Sequence, residues 1–174
     1  MRTEVGFTRR GLSGFVLMTA VLALSVGCHT NKDKGMASMV NMADPNTSNQ
    51  LLSGFHAVES NAWRWTMRKF VVMLKPPTGA DQNGATLRLR LYIPDSEIAK
   101  IGPITLSAEV DGHQLDPQTF EKGGDFAYSR PVPADALKAP AVRVTFSLDK
   151  FQPPNPVDGR ELGVVASVVG LQSR

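Results

Sequence analysis

The chain has 174 residues, of which 42% are hydrophobic and 20% are charged, so it is long and apolar enough for an ordinary packed core. A single cysteine excludes a disulfide within the chain. The first 27 residues hold three of the 19 basic and one of the 16 acidic residues, which leaves 16 against 15 in the remainder. The pI near 9.2 therefore reflects mainly this N-terminal segment, and we expect no nucleic-acid partner.

Residues 1–27 are typical of a signal peptide. Arg2, Arg9 and Arg10 precede GLSGFVLMTAVLALSVG, a run without a charge. A membrane-spanning helix needs about 20 apolar residues, and this slightly shorter run ends in small residues that signal peptidases accept. We therefore expect export, with an uncleaved N-terminal anchor as the alternative. TRRGLSG is weakly similar to a twin-arginine signal, so the export route stays open between that pathway and the general one.

The residues before Cys28, LSVG, resemble the bacterial lipobox, in which a small residue precedes a cysteine that becomes lipid-modified. Ser25 stands where this motif usually has leucine. The resemblance implies a bacterial lipoprotein that is cleaved before Cys28 and tethered to the membrane by lipid on that residue. His29 follows the cysteine in place of the aspartate that usually retains such proteins in the inner membrane, which favours the outer membrane of the cell envelope.

Residues 28–54 are polar and show no sustained period, so we predict a flexible, disordered tether. Met36, Met39 and Met42 recur at every third position, and thioethers are ligands that select Cu(I). Without a nearby cysteine or paired histidines, this spacing is more typical of a linker than of a copper site.

Period-two alternation predicts strands from residue 55 onwards. In TLRLRLYI one face carries Leu87, Leu89, Leu91 and Ile93, and the other carries Arg88, Arg90 and Tyr92. ITLSAEV and AVRVTFSL repeat the alternation, FVVMLK and ELGVVASVVGLQ are more continuously apolar, and HAVES, FAYSR and NAWRWTM are shorter candidates. Asp111-Gly112 predicts a tight hairpin because a type I′ turn needs positive φ at both central residues.

Only PDSEIAKIG is typical of a short helix, with Asp95 or Ser96 as its N-cap and Gly102 at its end. Pro/Gly-rich loops separate the strands, and no long helices alternate with them. The sequence therefore predicts an all-β domain, an antiparallel β-sandwich, over residues 55–174.

Motifs for nucleophilic, metal-dependent or nucleotide chemistry are absent from the sequence, so we expect no enzyme activity, no metal and no cofactor. A glycosidase needs two facing carboxylates, and the sequence leaves several candidates open: Glu59, Glu109, Glu121, Asp125 and Asp158. His56 and His113 are the histidines beyond the tether, and we expect both at the surface or half-buried.

The segment ESNAWRWTMRKF places Trp63 and Trp65 on one face of a predicted strand and Arg64 on the other. The indoles either form a stacking platform for a sugar ring or belong to the core, and the core is favoured. Arg88, Arg90 and Tyr92, on the wet face of TLRLRLYI, complete the set of candidate binding residues.

A group of short motifs resembles a β-sandwich domain of uncharacterised bacterial envelope proteins, which is also an appendage of membrane-linked glycosyltransferases. The motifs are Phe55, Glu59, Arg64-Trp65-Thr66, Phe151, Pro153, Asp158-x-Arg160 and Leu162-Gly163. The resemblance covers most of residues 55–174 and implies a jelly-roll or carbohydrate-binding-like sandwich linked to the cell envelope, without an established catalytic centre.

Four charged residues near the two ends of the domain are expected to meet as a structural clamp: Glu59, Arg64, Asp158 and Arg160. The expected pairs are Glu59 with Arg160 and Arg64 with Asp158, because guanidinium groups bind carboxylates through paired hydrogen bonds. The alternative is four solvated charges that contribute little to stability.

Two functions remain open. The domain either binds an envelope glycan or a polysaccharide-assembly partner without catalysis, or is a structural lipoprotein that contacts another envelope protein.

Overall fold

The computed structural model describes residues 35–174. The predicted signal peptide and Cys28 lie outside the described residues. Two short α-helices, two 3-10 helices (Ser48–Gln50 and Ala134–Leu137) and nine strands are present in the described part, and none of these helices has the length and hydropathy that a bilayer span needs. In chain order the elements are β1 (Met39–Asn41), β2 (Leu51–Glu59), β3 (Trp63–Leu74), α1 (Ala80–Asn83), β4 (Ala85–Ile93), α2 (Asp95–Ile101), β5 (Ile104–Val110), β6 (His113–Phe120), β7 (Gly124–Val132), β8 (Val142–Leu148) and β9 (Val165–Ser173).

All strand pairs are antiparallel, and the main path runs β6-β5-β8-β3-β9-β4-β7, with β1 added to β9 and β2 to β3. Residues 69–74 of β3 pair with β8, whereas residues 64 and 65 pair with β9. Because β2 occupies the other edge of β3 at both places, β8 and β9 lie against the same edge, and the sheet divides there into two layers. The predicted all-β, jelly-roll-like sandwich is confirmed.

The core lies between the layers and consists of the apolar residues that alternate along the strands. The inward positions of β4, β5 and β8 are buried as predicted, including Leu87, Leu89, Leu91 and Ile93 of β4. Aromatic rings join the layers: Tyr128 on β7 packs edge-on against Phe146 on β8 at 6.2 Å, and Phe146 stacks on Phe70 of β3 at 4.9 Å. Alternation along a half-buried strand was therefore sufficient to identify most of the core.

The predicted turns are also present. Asp111 and Gly112 have φ values of 44° and 87°, and Val110 pairs with His113 across them, as a tight hairpin between β5 and β6 requires. Helix α2 ends at Gly102 as predicted, but its N-cap is Pro94. The extended backbone of Pro94 places its carbonyl oxygen to accept the first helical hydrogen bond, from the amide of Glu97 at 3.0 Å.

The tether prediction is wrong for its second half, because residues 39–54 form part of the sandwich. β1 pairs with β9, and β2 already begins at Leu51. Val40 and Met42 are fully buried, and the side-chain amide of Gln50 donates to the carbonyl oxygens of Ala37 and Met73 at 3.0 and 2.7 Å. A strand of three residues is too short to show a period in the sequence, so only its pairing with β9 reveals it.

Candidate functional site

A groove of about 970 Å³ lies on the solvent side of the layer that contains β3, β9, β4 and β7. All five predicted binding residues line it, although they come from two strands that are not adjacent in the sheet. The lining residues are Met39, Trp63, Trp65, Arg88, Arg90, Leu91, Tyr92, Pro94, Asp125, Phe126, Ala127, Val165, Ser167, Val168 and Gln172.

Strand β4 runs through the middle of this layer, between β9 and β7. Its inward residues fill the core, so Arg88, Arg90 and Tyr92 point to the opposite side and are exposed. Strand geometry separates such alternate residues by about 6.6–6.8 Å, so two guanidinium groups and a phenol follow one another along the groove.

One row of register partners, here called the aromatic row, crosses all four strands: Trp65 on β3, Val165 on β9, Tyr92 on β4 and Asp125 on β7. The buried Val165 forms an apolar floor between the two aromatic residues. Adjacent strands lie about 4.8 Å apart, so the row brings Trp65 and Tyr92 to opposite sides of a space two strands wide.

Trp63 and Trp65 pack edge-to-face, with ring centroids 6.4 Å apart and planes at 86°. Both indoles are half-buried, and neither belongs to the buried core cluster. The favoured core assignment is therefore wrong. Within residues 35–174 no further layer covers the outer face of this half of β3, and the tryptophans form a wall of the groove instead.

Residues that the sequence did not single out complete the groove. Leu91 pairs with Ala166 while Arg90 pairs with Val168, which leaves Ser167 as an extra residue in β9. This bulge presents Ser167 and Val168 together to the groove. Its position depends on register, which the sequence of β9 alone does not reveal.

Met39 was missed as well, because its strand was assigned to the tether. It lies on β1 directly opposite Gly170 of β9 and contributes an exposed thioether to the groove wall. The copper alternative has no support from placement: Met39 faces the groove, whereas Met42 is buried in the core. Within residues 35–174 no cluster of three His, Cys, Asp or Glu side chains is placed to hold a metal ion.

The groove is mixed in charge. Arg88 donates to Oε1 of Gln172 at 3.2 Å, whereas the guanidinium of Arg90 has no hydrogen-bond or ion-pair partner among the described residues. Asp125 is the one carboxylate in the described lining. The arrangement combines aromatic faces, an apolar floor and a free guanidinium, with a single acid at the β7 side.

Three members of the predicted clamp meet around Arg160. Its guanidinium binds Glu59 Oε1 at 2.7 Å and Asp158 Oδ2 at 2.9 Å. Hydrogen bonds from the side chain and the backbone amide of Arg160 lower the pKa of Asp158 below its usual 3.8. The side-chain hydrogen bonds of Arg160, to Asp158 first and to Glu59 second, raise the pKa of Arg160. This cluster attaches the loop before β9 to the end of β2.

The prediction that Arg64 pairs with Asp158 is wrong. Arg64 instead donates to two backbone carbonyl oxygens, those of Met42 and His56, both at 2.8 Å. Because β1 lies beside β9 in the same layer, Met42, the residue that follows β1, supplies an acceptor that could not be expected there from the sequence. His56 is half-buried as expected, and its Nε2 lies 2.7 Å from the carbonyl oxygen of Glu161.

No protein-family model and no curated protein matches this chain. Among solved structures it is similar to the mannan-recognising carbohydrate-binding module TmCBM27, with 13% identity and a TM-score of 0.47 over 80% of this chain and 98% of that one. It is similar to the CBM36-1 domain of a multidomain xylanase from the hindgut metagenome of Trinervitermes trinervoides, with 7% identity and a TM-score of 0.43 over 78% and 96% of the two chains.

A third similar structure is the acetyl xylan esterase Est2A from the rumen bacterium Butyrivibrio proteoclasticus. The identity is 10% and the TM-score 0.46, over 80% of this chain and 34% of the esterase. The chain therefore spans about a third of that enzyme.

Proposed function

We propose that this domain is a non-catalytic module that binds a glycan in the groove over β4, and that lipid on Cys28 holds it at the cell envelope. The observation that carries the glycan proposal is the convergence of Trp63 and Trp65 with Arg88, Arg90 and Tyr92 in one groove. The sequence pointed to these residues on separate strands, and β9 brings the strands together.

The chemistry of the groove matches a sugar chain. A pyranose ring has apolar C–H faces and a polar rim, so it binds best where an aromatic surface lies beside hydrogen-bond donors and acceptors. Trp65 and Tyr92 supply aromatic surface on two sides of the Val165 floor, and Gln172 and Ser167 supply polar groups beside them.

The carboxylates favour binding over hydrolysis. Canonical glycoside hydrolysis uses two acids that flank the scissile bond. In the described lining only Asp125 carries a carboxylate, while Glu59 and Asp158 are engaged by Arg160 outside the groove. We therefore assign the groove to recognition.

Substitution of the groove tryptophans tests the glycan proposal. The full chain and its Trp63→Ala and Trp65→Ala variants would be run in native gels that contain single polysaccharides. We expect the wild type to be retarded by at least one of them and Trp65→Ala to bind about tenfold more weakly or worse, because buried aromatic anchors dominate binding.

Met67→Ala is the matched control, since Met67 is exposed on the same strand but lies outside the groove. It should migrate like the wild type in every gel. Equal retardation of the wild type and both tryptophan variants would overturn the proposal. The alternative, that this surface contacts another protein, would then be favoured.

A further inference from the structure

Arg90 contributes to the groove a guanidinium that has no hydrogen-bond or ion-pair partner among the described residues. Its register partners are Val168 on β9 and Ala127 on β7, two residues whose side chains cannot accept a hydrogen bond. No carboxylate or carbonyl oxygen in the described part of the chain accepts a hydrogen bond from it. Its five donors are therefore available to a ligand.

Arg88 extends the same charge along the groove. It lies two residues from Arg90 on the same face of β4, opposite Gly170 and Ser129. One of its nitrogens is occupied by Gln172 at 3.2 Å, which fixes the side chain along β9. The rows of Arg90 and Arg88 thus form a positive stretch that begins directly beside the aromatic row.

Asp125 places a negative charge at one side of the groove, opposite the positive charge of Arg90 and Arg88. Asp125 lies at the β7 end of the aromatic row, beside Tyr92, and is exposed. A negative substituent on a ring that stacks in the aromatic row is repelled at the β7 end and attracted towards Arg90, about 6.6–6.8 Å further along β4. The charge pattern therefore distinguishes the two sides of a bound sugar.

We infer that the groove selects acidic glycans, with the anionic substituent of a stacked sugar bound by Arg90 and assisted by Arg88. This inference rests on the proposed function and names its ligand class. A guanidinium fork binds a carboxylate through two parallel hydrogen bonds. Such bonds are stronger beside the apolar Val168 and Ala127 than in bulk water. A sulfate ester presents the same anionic oxygens, so the shared chemistry is an acidic group on a pyranose.

The test is affinity electrophoresis of the full chain with polygalacturonate, alginate, dextran sulfate and neutral dextran, plus carboxyl-reduced polygalacturonate. We expect at least one acidic polysaccharide to retard the protein. If polygalacturonate does so, its carboxyl-reduced form should not. Arg90→Gln should weaken binding of the acidic chain about 10- to 100-fold, the usual value of hydrogen bonds to charged groups. Arg90→Lys should restore it only in part, because an ammonium cannot bind both oxygens in the planar geometry.

Arg143→Gln is the control. Arg143 is exposed on β8 of the other layer, so this variant loses the same charge without altering the groove. It should bind every chain as the wild type does. Equal weakening by Arg90→Gln and Arg143→Gln, or retardation by dextran that matches retardation by the acidic chains, would overturn the selectivity while leaving glycan binding in place. Failure of all five polysaccharides to bind would overturn the selectivity together with the proposed function.

Carboxylated and sulfated ligands are told apart in the same gels. If polygalacturonate or alginate binds and dextran sulfate does not, the site is assigned to uronic acids. If only dextran sulfate binds, the site is assigned to sulfated sugars. Thermal unfolding of each variant, followed by circular dichroism, identifies any substitution that acts through folding. If Arg90→Gln unfolds at a lower temperature than the wild type, the comparison of Arg90→Lys with the wild type decides instead.

Discussion

At the residue scale, the side chain of Arg160 connects the N-terminal and C-terminal parts of the domain. Its guanidinium joins Glu59, 101 positions earlier in the chain, to Asp158 in its own loop. The side chains of Arg160, Glu59 and Asp158 are 39%, 34% and 28% exposed, so water screens all three. The cluster is therefore expected to fasten the loop before β9 rather than to dominate the stability of the fold.

A double-mutant cycle measures this connection. Glu59→Gln, Arg160→Met and the double variant of the full chain would be unfolded in denaturant at pH 7. We expect a coupling free energy of about 0.5–1 kcal/mol, at the upper end for a partly exposed pair because the geometry is good. The same cycle on Arg64 and Asp158 should give no coupling, because Arg64 binds backbone carbonyls elsewhere. Coupling of similar size in both cycles would contradict the observed pairing.

The pKa of Asp158 adds a pH dependence to the cluster. Because Arg160 lowers this pKa in the folded state, the ionised carboxylate stabilises the fold above the ordinary value of 3.8. That contribution is lost as the pH falls through the lower pKa of the folded state. The stability difference between the wild type and Asp158→Asn should therefore narrow on acidification, and a difference that widens in acid would contradict this assignment.

At the element scale, β1 is held beside β9 by a close backbone approach at Gly170. A Cβ atom at this position would lie 2.7 Å from the carbonyl oxygen of Ser38 and 2.9 Å from Cα of Met39. Both are backbone atoms, so they cannot move aside without displacing β1. Glycine is required here for space, and through it β1 contributes Met39 to the groove wall.

Gly170→Ala should therefore destabilise the domain by about 1–3 kcal/mol, the usual cost of overpacking, as measured by denaturant unfolding. Gly159→Ala is the matched control, because a Cβ there meets open space. It should change the stability by less than about 0.5 kcal/mol. If the two variants are equally stable, β1 does not pack against β9 as described.

The elements differ in how far the sequence could predict them. β4, β5 and β8 were predictable because each has one buried face, and burial of alternate residues leaves a period of two. β1 was not, because three residues show no period and their burial comes from β9. The core assignment of Trp63 and Trp65 failed for a related reason: alternation shows that two residues share a face, but not which face is covered.

At the scale of the whole molecule, the groove arises from register. Trp65 and Tyr92 lie in segments that the sequence could identify separately, and only their common partner Val165 places them in one row. Strand pairing likewise positions the bulge at Ser167 and brings Asp125 beside Tyr92. Candidate binding residues were thus accessible from patterns within strands, whereas the shape of the site depends on pairing between strands.

The proposed anchor is tested on the full chain expressed in bacteria. Cys28→Ala should abolish incorporation of a metabolically supplied lipid label, because the proposed diacylglyceryl group would be attached to that thiol, and should block processing before residue 28. Because processing is blocked, the alanine variant should keep the apolar run of residues 11–27 and migrate as the longer, unprocessed precursor. Lipid label on the alanine variant would contradict the proposed lipidation site.

The two tryptophans of the chain report directly on glycan binding, because both line the groove. Acrylamide quenching of intrinsic tryptophan fluorescence would be measured on the full chain with and without a polysaccharide that retards it in native gels. We predict quenching of the free protein and clear protection when the glycan is bound. Unchanged quenching and emission at saturating glycan would place the ligand elsewhere and contradict glycan binding in this groove.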